Sequence, residues 1–173
     1  MKVVVINGAP RSGKDTFIKL CNSRKVNVIG ISIVDEIKRI AKDIGWDGEK
    51  NLRSRKFLSD LKDLADNYND FSFNRLEKRL SIAGELEKLN RLPTVVFVVA
   101  RDPKDISRLV EKYRATTLCI RRTEAEAENV SNHADKEILN YSYDIYINND
   151  GSLEKLEKCA NAFMKYILGG YRV

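Results

Sequence analysis

Short, largely apolar runs alternate along the chain with longer segments in which apolar residues recur every three or four positions. The runs at residues 2–6, 26–31, 94–100, 115–121 and 143–147 have the length and the β-branched content of buried strands. The segments between them have the spacing of amphipathic helices. Strands that alternate with helices in this way predict an α/β fold with a doubly wound, mainly parallel sheet of five strands.

The second and third strands are separated by a long helical stretch, residues 35–90. A simple crossover between parallel strands needs only about a dozen residues. We expect the surplus to form a helical subregion on the substrate side of a single domain. Its predicted helices are residues 33–44, stopped by Gly45, then Leu52 to Ala65 and Phe73 to Leu89, with a break at residues 68–70.

A glycine-bounded stretch lies between the first strand and the first helix. Glycines at its two ends let the backbone curl, so that several N–H groups can point at one anion. The start of the helix and the ammonium of Lys14 add positive charge. The stretch therefore predicts a phosphate-binding loop and ATP as its ligand. The residues expected to hold the nucleotide are Gly8, Ala9, Arg11, Ser12, Gly13, Lys14, Asp15 and Thr16.

One position of the loop departs from the usual motif G-x-x-x-x-G-K-[ST]. Asp15 stands where the motif has a hydroxyl, and the hydroxyl follows at Thr16. A carboxylate beside a triphosphate is repelled unless a cation lies between them, so Asp15 implies Mg²⁺ or a positive substrate group nearby. We expect Asp15 and Thr16 to be metal ligands, with Lys14 and Asp15 taking part in catalysis. A ligand-free turn in which Asp15 caps the helix is the alternative.

Further candidates follow the third strand. In a doubly wound sheet, ligands bind outside the carboxyl ends of the strands. Asp102 could hold magnesium through water, or it could cap the helix that begins at Pro103. Arg101 could clamp an acceptor phosphate with two hydrogen bonds, or pair with Asp105 on the surface. The sequence leaves both choices open.

Two arginines follow the fourth strand at the same edge of the sheet. Arg121 and Arg122 could stabilise charge on a phosphoryl group during transfer, and we expect them to be catalytic. An ordinary basic strand end is the alternative. His133, the only histidine, lies in a polar helical stretch and is expected to be solvated.

Composition limits the class of protein without identifying its ligand. The chain has 173 residues, 43% hydrophobic and 32% charged, which suits one ordered domain with a core of its own. No apolar run is long enough to span a membrane, and the three cysteines are widely spaced, so we expect a cytoplasmic protein. The net charge of +6 is spread along the chain and interleaved with acids, which makes nucleic acid a less favoured partner than a small anion.

Two short motifs carry a resemblance to known kinases. Residues 11–16, Arg-Ser-Gly-Lys-Asp-Thr, resemble the loop of the phage-type deoxynucleoside monophosphate kinases, and the animal-type phosphomevalonate kinases share its Ser-Gly-Lys-Asp core. Residues 148–153 are similar to the turn before the last helix of several nucleoside monophosphate kinases, which helps hold the ATP base in those families. The resemblance implies a three-layer P-loop NTPase fold. It also implies that Asn149, Asp150 and Gly151 contact the nucleotide. A simple turn built from turn-forming residues is the alternative.

The resemblance also assigns roles to the helical subregion and to the segment after the fourth strand. Residues 35–87 would bind the acceptor, and residues 122–140 would form a short lid. Lys38 and Arg55 are candidate ligands of the acceptor phosphate on their position alone. Residues 100–103, Ala-Arg-Asp-Pro, depart from the D-x-R and D-G-[FY]-P-R motifs of other nucleotide kinases, which leaves the acceptor undefined.

The sequence thus favours a P-loop kinase that transfers the γ-phosphoryl group of MgATP to a small phosphorylated acceptor, with a (deoxy)nucleoside monophosphate as the first candidate. Such a reaction depends on positioning and charge, which agrees with the lack of a nucleophile or general-base constellation. A kinase acting on phosphomevalonate or a polynucleotide end is one alternative. A non-catalytic ATP-binding module is another. Oligomeric state is not predicted.

Overall fold

The structure is a computed structural model, and it describes residues 1–23, 25–49, 51–128 and 141–169. Its centre is a sheet of five strands in the order β2-β3-β1-β4-β5, and every neighbouring pair is parallel. The predicted doubly wound α/β sheet is confirmed, and it is entirely parallel. The strands are β1 (Lys2–Asn7), β2 (Asn27–Ser32), β3 (Thr94–Val99), β4 (Thr116–Arg121) and β5 (Ile145–Asn148).

Helices cover both faces of this sheet. On one face, α1 and the last helix pack against β1, β3 and β4 around three phenylalanines, Phe17, Phe97 and Phe163. On the other face, α4 and α5 bury Leu76, Leu80 and Leu109. The helices are α1 (Lys14–Leu20), α2 (Asp35–Asp43), α3 (Leu52–Asn69), α4 (Phe71–Asn90), α5 (Pro103–Tyr113), α6 (Thr123–Glu128) and α7 (Leu153–Ile167).

The corner between α3 and α4 is tighter than the sequence predicts. The break predicted at residues 68–70 is confirmed at Asp70 but is shorter than predicted, since α3 continues to Asn69 and only Asp70 separates the two helices. Asp70 has the left-handed φ of 54°, which reverses the chain in a single residue. The Asp66 carboxylate accepts the Ser72 N–H at 2.8 Å, and Arg108 of α5 forms an ion pair with Asp70. These side-chain contacts give the corner the hydrogen bonds that a longer loop would otherwise supply.

All five strands end at one edge of the sheet because they are parallel. The register pairs Asn7 at the end of β1 with Cys119 near the end of β4. The loops after β1, β3, β4 and β5 therefore leave the sheet side by side. The predicted lid begins with α6 at this edge, and residues 129–140, including His133, lie outside the described residues.

No helix in the described part of the chain combines the length and the apolar character needed to cross a bilayer.

Candidate phosphate-binding site

The loop between β1 and α1 is held in a backbone conformation that only glycine adopts readily. Gly8 has a φ of 144°, and a Cβ there would lie 2.2 Å from the Ile120 carbonyl oxygen. Gly13 has a φ of 99°, also in the region that L-residues avoid. Arg11 is left-handed as well, with a φ of 64°, which costs about 1–2 kcal/mol for a residue with a side chain. This concentration of strain within six residues, 8–13, is typical of a binding site.

Lys14 folds back over the loop. Its ammonium donates hydrogen bonds to the carbonyl oxygens of Gly8 at 2.7 Å and Ala9 at 2.8 Å. The side chain is half-buried, and it lies 3.5 Å from the Ser12 hydroxyl. The Lys14 ammonium, which is predicted to reach the phosphates, is therefore held against the loop carbonyls by hydrogen bonds that it can exchange for others.

The turn after β5 closes the loop from the other side. The Asn149 side-chain amide donates to the Ser12 carbonyl oxygen at 2.9 Å, across 137 residues of sequence. The Asn149 backbone N–H donates to the Arg121 carbonyl oxygen at 2.7 Å. The structure thus brings together the two motifs that carry the resemblance to nucleotide kinases.

The next residue of this turn holds the start of the lid segment. The Asp150 carboxylate accepts the Thr123 N–H at 2.7 Å and the Thr123 hydroxyl at 3.1 Å. Thr123 is the first residue of α6, so Asp150 supplies a hydrogen-bond acceptor to an otherwise unpaired helix N-terminus. Gly151, the third predicted base-binding residue, is exposed beside Asp150.

The predicted metal ligands lie on different elements. Asp15 and Thr16 are exposed in the first turn of α1. Asp102 caps α5, accepting the Lys104 N–H at 2.8 Å, as in the capping alternative. Within the described ranges, no three His, Cys, Asp or Glu side chains are grouped to hold a metal. A magnesium ion at Asp15 and Thr16 fits this chain only as one shared with phosphate oxygens and water, which is the coordination Mg²⁺ favours.

The predicted catalytic arginines are bound to glutamates in this structure. Arg121 forms two hydrogen bonds with Glu126, at 2.9 and 2.7 Å, and these raise the pKa of its guanidinium. Arg122 pairs with Glu124 at 2.8 Å. All four partners lie at the surface or close to it, where such pairs are worth about 0–1 kcal/mol. Either arginine can therefore leave its glutamate for a phosphate at little cost.

The predicted acceptor ligands are spread over three elements. Arg101 is exposed directly beyond the end of β3, at the same edge as the loop. Lys38 is half-buried near the start of α2, which begins soon after β2 ends. Arg55 is exposed at the start of α3, separated from α2 by a turn. The fold thus places Arg101 and Lys38 near the carboxyl edge of the sheet. The position of Arg55 relative to that edge is set by the direction of α3.

Two features of this edge were missed by sequence reasoning. Asn7, 1% exposed, donates its side-chain amide to the Ala100 carbonyl oxygen at 2.6 Å and ties the exits of β1 and β3 together. Arg79 of α4 donates a hydrogen bond to Asp35 at 2.8 Å, beside the Ser32 N–H bond to Asp35 at 2.9 Å that the S-x-x-D spacing of residues 32–35 predicts. For Asn7 a local signal exists in the sequence, because a polar residue stands at the end of an otherwise apolar strand. No local signal links Asp35 to Arg79, which lies 44 residues away.

A groove of about 710 Å³ lies elsewhere on the molecule, between α4 and the end of α5. Tyr113 lines it, and Tyr113 lies near the start of β4, at the edge opposite the phosphate-binding loop. None of the predicted site residues lines it. The size of this groove therefore says nothing about where a nucleotide binds.

Comparison with solved structures settles the fold. Shikimate kinase from Aquifex aeolicus superposes with a TM-score of 0.50 over 98% of this chain and 99% of its own, at 15% sequence identity. The two chains therefore share this three-layer α/β fold. A sugar kinase from Janibacter, solved without ligand, matches with a TM-score of 0.45 at 14% identity, covering 99% of this chain and 96% of that one.

Sequence comparison adds no family assignment. No protein-family model matches the chain, and no curated protein matches it. At 15% identity, the likeness to shikimate kinase establishes architecture alone. Function therefore has to be argued from the loop and its neighbours.

Proposed function

We propose that the chain is an ATP-dependent phosphotransferase of the P-loop kinase type, and that its acceptor is a small phosphorylated molecule, in the first place a (deoxy)nucleoside monophosphate. In this reaction the bond between the γ-phosphorus and the β,γ-bridging oxygen breaks, and a bond to an acceptor phosphate oxygen forms. ADP leaves with the bridging oxygen. The observation that carries the proposal is the loop closed by Gly8 and Gly13 with Lys14 folded across it.

The chain's own residues supply positioning and positive charge. Backbone N–H groups of the loop and the start of α1 would bind the phosphates. Lys14 would exchange its bonds to the Gly8 and Ala9 carbonyls for bonds to phosphate oxygens, following the charge as it develops. Arg121 and Arg122, released from their glutamates, would neutralise the transferred group. Magnesium held at Asp15 and Thr16, with Asp102 acting through water, would offset the repulsion between phosphates.

The monophosphate acceptor is supported by the resemblance of both motifs to nucleoside monophosphate kinases and by their contact across the Asn149–Ser12 hydrogen bond. The helical subregion between β2 and β3 gives such an acceptor a separate surface. Lys38 and Arg101 are the candidate ligands of its phosphate, with Arg55, exposed at the start of α3, as a third.

The test is a coupled ADP-release assay with MgATP against a panel of ribo- and deoxynucleoside monophosphates. We expect turnover on one or two members, and its loss in Lys14→Ala because the ammonium bound to the loop is gone. Lys19→Ala, which removes an exposed lysine one turn further along α1, is the matched control and is expected to keep full activity. A panel with no turnover, beside measurable ATP binding, would rule out the monophosphate acceptor and favour another acceptor or a binding module.

A further inference from the structure

We propose that Asn149 is a positioning residue of the phosphate-binding loop, and that its side chain acts on Ser12 and not on the nucleotide base. The inference rests on the proposed function, since it concerns the same loop. Its basis is the hydrogen bond from the Asn149 amide to the Ser12 carbonyl oxygen, at 2.9 Å.

The Ser12 carbonyl oxygen and the Gly13 N–H belong to one peptide group. Because that group is planar and trans, its oxygen and its N–H point in opposite directions. Holding the oxygen against Asn149 therefore turns the Gly13 N–H away from the turn after β5. Ser12 is fully buried, so water does not compete with the Asn149 amide for the Ser12 carbonyl oxygen. Asn149 thus fixes the direction of one of the donors that a phosphate would use.

Gly13 and Asn149 fit each other sterically. A Cβ built on Gly13 would lie 2.3 Å from the Asn149 amide nitrogen. The absence of a side chain at Gly13 is what lets the amide reach the Ser12 carbonyl. Gly13 is therefore needed twice, for its φ of 99° and for the approach of Asn149.

Two further polar groups of this turn are also bound to protein. The Asn149 backbone N–H is taken by the Arg121 carbonyl, and the Asp150 carboxylate by Thr123. The turn consequently connects three parts of the edge: the loop, the end of β4 with its arginines, and the start of α6. The Asn149 N–H that makes this connection is not available to a base.

The experiment separates phosphate binding from base binding by comparing ATP with inorganic tripolyphosphate, which has no base. Both are titrated by calorimetry into the unmodified protein and into Asn149→Ala. Loss of one hydrogen bond to the loop should weaken both ligands by the same factor, about 3- to 10-fold. Asn149→Asp, which keeps the shape but puts a carboxylate against the Ser12 carbonyl, should weaken both further. Asn161→Ala, on the exposed face of α7, is the control and should bind both as wild type does.

The outcomes distinguish this inference from the proposed function. A loss of ATP affinity with unchanged tripolyphosphate affinity would overturn it, because the side chain would then contact the base. Unchanged affinity for both ligands in both variants would overturn it as well. Wild type that binds tripolyphosphate, and loses it in Asn149→Ala, but transfers no phosphoryl group would support the inference and refute the kinase. Thermal unfolding without ligand checks each variant, and the aspartate variant makes the same comparison if the alanine variant does not fold.

Discussion

Replacing Gly13 with alanine tests whether the loop is held as rigidly as its geometry indicates. Gly13 has a φ of 99°, and the added Cβ would meet the Asn149 amide nitrogen at 2.3 Å. The neighbouring amide has to move, and its bond to the Ser12 carbonyl is lost with it. We expect Gly13→Ala to lower the stability of the free protein, the affinity for ATP, or both.

The size of the effect follows from two contributions. A residue with a side chain in this region of φ and ψ costs about 1–3 kcal/mol, and the lost hydrogen bond costs about 1 kcal/mol. The sum is about 2–4 kcal/mol. If the loop keeps its conformation, the melting temperature should fall by roughly 5–12 °C for a chain of this length. If the loop rearranges, the melting temperature falls less and ATP affinity falls instead.

Thermal unfolding followed by circular dichroism measures the melting temperature, and calorimetric titration measures the ATP affinity. Gly84→Ala is the matched control, because Gly84 lies within α4 and a Cβ there meets nothing within 4 Å. Alanine in a helix interior is favoured over glycine by up to about 1 kcal/mol, so Gly84→Ala should raise the melting temperature. If the Gly13→Ala protein had the melting temperature and the ATP affinity of wild type, the loop would not be held in this strained conformation by Asn149.

Two further predictions concern parts of the fold away from the loop. Burial raises the pKa of Cys21 to about 12 and that of Cys119 to about 11, whereas Cys159 is half-exposed. In the folded protein at pH 8, a thiol reagent should therefore modify Cys159 quickly and the other two cysteines only on unfolding. Rapid modification of all three cysteines would contradict the packing. The Arg108 hydrogen bonds hold the pKa of Asp70 below its ordinary 3.8, so the stability this pair contributes is present above pH 3.8 and is lost as pH falls through the lower folded value. Asparagine tolerates the left-handed φ, so Asp70→Asn should lower the free energy of unfolding at pH 7 by at most about 1 kcal/mol, since the ion pair is partly exposed. Urea unfolding of both proteins at pH 7 and below pH 3 should show that this difference disappears in acid. An equal difference at the two pH values would disprove the assignment.

The local parts of the fold and site could be predicted from the sequence. The apolar runs predict the five strands to within a residue or two, and the glycines with Lys14 predict the loop, because strand burial and loop curvature depend on neighbouring residues. The predicted break between α3 and α4 begins two residues too early, because Asp66 and Arg108 stabilise a one-residue corner through contacts that no sequence period encodes.

The sequence by itself determined which elements form and which residues could bind a phosphate. Only the tertiary structure decided the strand order β2-β3-β1-β4-β5, and with it which loops meet at one edge. It also decided that Asp102 caps α5, that Arg121 rests on Glu126, and that Asn149 reaches Ser12. The physical reason is the range of the interactions. Periodicity and φ preference act over a few residues, whereas the partner of a buried polar group can come from any part of the chain that packing brings within hydrogen-bond distance.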